Sequence, residues 1–129
     1  MYLIECVNAY TAILALAEQE CDYKTAYALV TLKRRLQPQI DFFTQKEMEL
    51  VRLFAAKTES GDVALNDRGN FIFADPSKAN EYAKRRTELG MVEVQGHLDP
   101  VRMPTPPSIK PIHLEALEGF VIFEDGDGK

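Results

Sequence analysis

A chain of 129 residues that is 46% hydrophobic and 27% charged has the size and apolar content of one compact domain, large enough to bury a core without disulfide or metal staples. Fifteen Lys and Arg against twenty Asp and Glu leave a formal charge of −5, which argues against an undirected binder of nucleic acid or of anionic membranes, since both would repel it. The longest apolar stretches, such as residues 12–17, fall far short of the roughly 20 residues needed to span a bilayer.

Residues 2–7 mix aliphatic and β-capable side chains and read as a short strand. Asn8 is a good N-cap, and residues 9–18 read as a helix whose stripe of Ala9, Ala12, Ile13, Leu16 and Ala17 is narrow and small. Asp22 is placed to cap a second helix. From Tyr23 to Lys57 there is no glycine, and Leu29, Lys33, Leu36, Ile40, Phe43, Glu47, Leu50 and Phe54 follow a 4-3-4-3 spacing. A helix over this whole stretch would reach roughly 52 Å and could not bury its own apolar stripe. Pro38 lacks an N–H and crowds the carbonyl four residues earlier, so the rod is expected to kink or split near residues 36–37 into two arms.

Gly61 ends the rod. Residues 63–65 and 71–73 flank Asn66-Asp67-Arg68-Gly69-Asn70, the composition of a β-turn with glycine at positive φ, and so predict a hairpin. Asp75-Pro76 starts a third helix that Gly90 stops, and residues 91–94 are expected to add a strand to the hairpin. No long-period repeat is read. Five prolines between Pro100 and Pro111 predict an extended connector in which globular packing pauses. Residues 113–118 suggest one helical turn closed by Gly119, residues 120–123 a short apolar run, and residues 124–129 a frayed tail.

The chemistry-bearing residues are sparse. His97 and His113 stand in no metal-binding pattern, Ser60-Gly61 lacks the second glycine of a nucleophile elbow, and no glycine-rich phosphate cradle is present. The acidic tail Glu124-Asp125-Gly126-Asp127-Gly128 resembles the opening of a calcium loop but has no distal carboxylate. No catalytic residue, metal or cofactor is therefore expected. Cys6 and Cys21 lack CxxC spacing and read as reduced structural thiols, and residues 1–7 carry no basic residue of an export signal, so a cytoplasmic protein is expected. Two basic triplets spread around their helices as solvated surface. Brought together by packing, Lys33, Arg34, Arg85 and Arg86 would form a phosphate site. Adjacent Phe42 and Phe43 cannot share one helix face, so Phe42 is a candidate for an interface.

The order of these features, from Asn8 through the rod, residues 61–73 and 82–94, to Leu114-Glu115-Ala116-Leu117-Glu118-Gly119, resembles small proteins of unknown function encoded by tailed bacteriophages and prophages. That resemblance implies a helical hairpin with a β extension and no catalytic residue. The long proline connector departs from the group's layout. The reading is therefore mainly α with a small β element (α+β): a long kinked helical hairpin and a β-hairpin over residues 1–99, a connector over 100–111, and a docking segment with a frayed tail over 112–129. The expected role is a non-catalytic protein-interaction module. It would assist assembly or bind a host protein such as a defence enzyme, with a protein partner or a second copy seated on Phe42, Leu114, Leu117, Phe120, Ile122 and Phe123. The alternative is the phosphate or small-ligand site named above; nucleic-acid binding ranks below both.

Overall fold

The computed structural model describes residues 1–124, in the order α1 (Leu3–Ala17), α2 (Tyr23–Phe54), α3 (Pro76–Gly90), β1 (Val101–Pro104), α4 (Pro111–Ala116) and β2 (Val121–Glu124). The protein is mainly α with a small β element. Of the tail expected to fray over residues 124–129, Glu124 instead ends β2 opposite Pro104, and residues 125–129 lie outside the described residues.

Helix α1 begins earlier than its cap-like Asn8 suggests. Leu3, Cys6, Ala9, Ala12, Ile13 and Leu16 are all buried at helical spacing, so residues 3–7 extend the same stripe instead of forming a strand. The Glu5 carboxylate accepts the Tyr2 N–H at 2.6 Å and satisfies one of the free donors at the helix start. Helix α2 starts on Asp22, whose side chain accepts the Thr25 N–H at 2.8 Å.

Pro38 does not split α2, which is a single helix of 32 residues, about 48 Å long. The proline is exposed, and Arg34, whose carbonyl loses its partner there, is exposed as well, so water can serve that oxygen. Helix α1 doubles back along the first half of α2, with Tyr10 Oη donating to Gln37 Oε1 at 3.2 Å. Helix α3 covers the second half: Arg86 pairs with Glu47 at 2.5 Å and its guanidinium lies 5.2 Å from the centre of the Phe43 ring. None of the eight stripe positions is exposed; Leu29, Leu36 and Phe43 are buried and the other five are half-buried. The stripe, which the rod alone could not bury, lies against this chain's own helices.

Helices α1 and α3 meet end to end over α2. Leu3 N–H donates to Val92 O at 2.8 Å, and Val94 N–H to Met1 O at 2.9 Å. Residues 91–94 therefore pair with the N-terminal residues and not with the hairpin, through the antiparallel bridge Tyr2–Glu93. Gly90 is buried with φ outside the left-handed region; a Cβ there would lie 3.1 Å from Ile4 Cβ. It is the close approach of α1, more than a helix stop, that requires glycine at this position.

The expected hairpin is part of a closed triangle of three short segments. Ala56 N–H donates to Ile72 O (2.7 Å), Ala64 N–H to Ala56 O (2.8 Å) and Ile72 N–H to Ala64 O (3.2 Å), so each segment pairs with both others. The sides recur every eight residues, and the repeat is written in the sequence: Ala-Lys-Thr-Glu-Ser-Gly-Asp-Val from Ala56 is followed by Ala-Leu-Asn-Asp-Arg-Gly-Asn-Phe from Ala64. Gly61 and Gly69 occupy equivalent turns at φ 89° and 80°.

Strand β1 lies inside the stretch expected to be a connector. It pairs in parallel with β2, Val101 opposite Val121 and Met103 opposite Phe123, with α4 crossing between the strands. Alternation turns Val101 and Met103 inward, and with Leu117, Phe120 and Val121 they join the core formed by α1 and the first half of α2. Residues 112–124 are thus not a tethered docking segment but one wall of the core. Proline is tolerated because Pro104 ends the four-residue strand.

Candidate functional site

The residues proposed for partner contact divide by burial. Leu117 and Phe120 are core, and Phe123 is half-buried against it, so all three serve packing and not docking. Phe42, Leu114 and Ile122 are exposed, on α2, α4 and β2 respectively. Phe42 carries the Lys46 ammonium 5.8 Å from its ring centre.

The basic residues are not brought together. Arg86 is held by Glu47 and Phe43, and Arg85 lies 3.9 Å from Glu88. Lys33 and Arg34 stand about 20 Å away from Glu47 along the axis of α2, given 1.5 Å per residue. The position of Arg86 has a packing cause. Tyr82 packs its ring 5.3 Å from that of Phe73, and burial, then the Glu47 carboxylate, push its hydroxyl pKa up, while Arg86 acts in the opposite direction. The arginine balances a half-buried acidic group; it is not left free to take a phosphate.

His97 sits 3.1 Å from Asp99 on the surface. Both cysteines are free: Cys6 is buried, and its thiol pKa is raised by that burial and by Glu5, whereas Cys21 is exposed in the turn between α1 and α2. Among the described residues no group of three or more His, Cys, Asp and Glu is arranged to hold a metal ion. Among the described residues no helix is long and apolar enough to cross a membrane.

Two surfaces stand out. On the first half of α2, Tyr23 is 94% exposed and Tyr27 77%, with exposed Val30 and Arg34 completing an i, i+4, i+7, i+11 line. That line lies across the helix from buried Thr25, Ala28, Leu29, Leu32 and Leu36, so nothing in the fold explains why it is aromatic. Its signal was present in the sequence as a second periodicity, out of phase with the core stripe and carried by tyrosines.

The second surface is a cleft of about 450 Å³ between α1 and α4. Glu5, Asn8 and Thr11, three residues apart along α1, form one wall. Pro111 starts α4, whose Ile112, His113, Glu115 and Ala116 form the other. Gly119, at φ 87°, turns the chain so that Phe120 enters the core and closes the floor, with Glu118 on the rim. Thr11 Oγ1 donates to Val7 O at 3.1 Å. The lining holds three carboxylates and neither Lys nor Arg, so its chemistry favours a cation over a phosphate. Sequence reasoning missed this cleft because Glu5 and Glu115 lie more than a hundred residues apart in the chain.

Comparison of the chain with protein-family models, with curated proteins and with solved structures gives no match.

Proposed function

We propose that the chain is a non-catalytic protein-interaction module of the cytoplasm, and that its primary contact surface is the tyrosine face of α2. The observation that carries this reading is the exposure of Tyr23 and Tyr27 in line with Val30 and Arg34. Exposed tyrosines on a rigid helix lose little entropy on association, and Tyr and Arg are the side chains over-represented among interface hot spots. Two unpaired thiols fit the compartment. In a phage or prophage such a module would serve assembly or the capture of a host protein, and its gene neighbourhood separates the two. The core-facing stripe of α2 does not contribute to the proposal, being covered already.

The decisive variant is Tyr23→Ser/Tyr27→Ser. Both side chains are exposed, so helix content and melting temperature are expected to stay unchanged. Loss of each hot-spot tyrosine costs about 2 kcal/mol of association, roughly thirtyfold in Kd. Sedimentation equilibrium of the pure protein and titration with the partner encoded nearest to it provide the readings. Unaltered affinity in both would remove the tyrosine face from the function.

A further inference from the structure

We infer that the tyrosine face of α2 binds the same face of a second copy of this chain, with the two α2 helices antiparallel about a two-fold axis beside Pro38. This rests on the reading of that face as the contact surface and commits it to one occupant.

The line of Tyr23, Tyr27, Val30 and Arg34 continues past Pro38 through Asp41, Gln45, Met48 and Arg52 in the same steps of three and four residues. At about 100° per residue the whole line falls in an arc of about 80°, centred opposite Leu32 and Leu36 in the core. Every member is exposed except Met48, which is half-buried.

The face is complementary to itself in one register. When the second helix runs the other way, Arg34 meets Asp41, Tyr27 meets Met48 and Tyr23 meets Arg52; each pair is centred midway between residues 37 and 38, so one two-fold axis relates them all. Symmetry then gives two ion pairs at the middle of the contact, a guanidinium over a phenol ring at each end, and a thioether against a ring between them. A parallel pair would instead set Arg34, Asp41 and Arg52 each against its own copy, and moving the axis to residue 34 or 41 would also oppose like charges.

The charges are available for these contacts. Arg34, Asp41 and Arg52 have no ion-pair partner within 4.0 Å among the described residues. Asp41 is also held in place, because Tyr10 donates to Gln37 and Gln37 Nε2 donates to Asp41 Oδ1 at 2.9 Å, which ties the carboxylate to the α1–α2 packing. A helix of about 48 Å presenting a strip about 10 Å wide buries about 500 Å² per copy and about 1,000 Å² in all, the lower end of specific interfaces and the size of a reversible dimer.

Sedimentation equilibrium of the full chain is expected to show a monomer–dimer equilibrium between about 1 and 500 μM. Arg34→Asp and Asp41→Arg each oppose like charges twice in the dimer, and each is expected to weaken it at least about tenfold. Mixed together, the two variants are expected to associate again, since each supplies the charge that the other has lost. Both change exposed side chains, and unchanged circular dichroism verifies their fold. The unaltered chain gives an independent reading: Cys21 is exposed and Cys6 buried, so a spin label attaches to Cys21 alone. Two such labels are expected about 40–55 Å apart in the antiparallel dimer, against less than about 20 Å in a parallel one. A monomer at every concentration, charge variants that dimerise as the wild type does, a mixture that stays monomeric, or the short label distance would overturn the inference. A monomeric wild type whose Tyr23→Ser/Tyr27→Ser variant loses the partner encoded nearest to it would overturn the second copy and keep the tyrosine face, so the two proposals fail separately.

Discussion

Two residues are fixed by causes that a substitution can isolate. At Gly90 an added Cβ would stand 3.1 Å from Ile4 Cβ, an atom anchored to the α1 backbone that cannot swing away. Overpacking costs about 1–3 kcal/mol, and better helix propensity returns up to about 1, so Gly90→Ala is expected to destabilise by about 1 kcal/mol, a fall of about 4 °C in melting temperature. A rise would mean that α3 slides freely against α1. Asp22 presents the opposite case, an exposed group held by Thr25. Its carboxylate pKa is lowered, first by the Thr25 N–H and then by the Thr25 side chain. A carboxylate with a depressed folded-state pKa stabilises fully above its unfolded pKa, near 3.9, and loses that contribution as pH falls through the lower, folded value. Asp22→Ala is therefore expected to melt lower than wild type at neutral pH, with the gap closing as pH falls through the carboxylate's lowered range. Asp22→Asn, still a good cap but uncharged, is expected to lack that acid-side dependence.

Among the elements, α2 was legible in outline and misjudged in one detail. Its 4-3-4-3 spacing marked the face that α1, α3 and β1 cover, but of the kink or split expected at Pro38 the split does not occur. A proline penalty is local, and burial on the opposite face at Leu32, Leu36 and Phe43 outweighs it. The β elements were harder to read because their pairing is non-local or irregular. β1 hides in a proline-rich run and finds its partner about twenty residues on, beyond a crossover. The triangle of residues 55–73 pairs through single bridges and not through regular ladders. Its eight-residue repeat, with Gly61 and Gly69 in register, was the available clue, shorter than the periods that mark repeat folds. The sharpest consequence concerns the C-terminal third. Truncation after Met103 removes buried Leu117, Phe120 and Val121, worth about 5–9 kcal/mol at about 1.5–3 kcal/mol for each side chain. That rivals the whole stability of a small domain, so the shortened protein is expected to lose its cooperative melt and become insoluble. A soluble, helical fragment that melts sharply would show that the segment is dispensable to the core.

At the scale of the molecule, α2 joins two regions of unequal packing. Its first half is enclosed by α1, the β1–α4–β2 unit and the core they share, whereas α3 buries only Gly90 completely and leans on Tyr82, Arg86 and Leu89 at half depth. The candidate surfaces were less legible than the fold for a related reason. The tyrosine line lies on one helix and was readable, but the cleft is made by chain ends that only tertiary packing brings together. Hydrogen exchange is expected to follow the imbalance, with amides of α3 and residues 55–73 exchanging at least about tenfold faster than those in α1 and the first half of α2. Uniform protection would show one cooperative unit. Because a single helix passes through both regions, fraying of the thin region can travel along it only as far as the turns gripped by α1. The far half of the spine can breathe, and even melt under mild stress, while the half that displays the tyrosines keeps its shape.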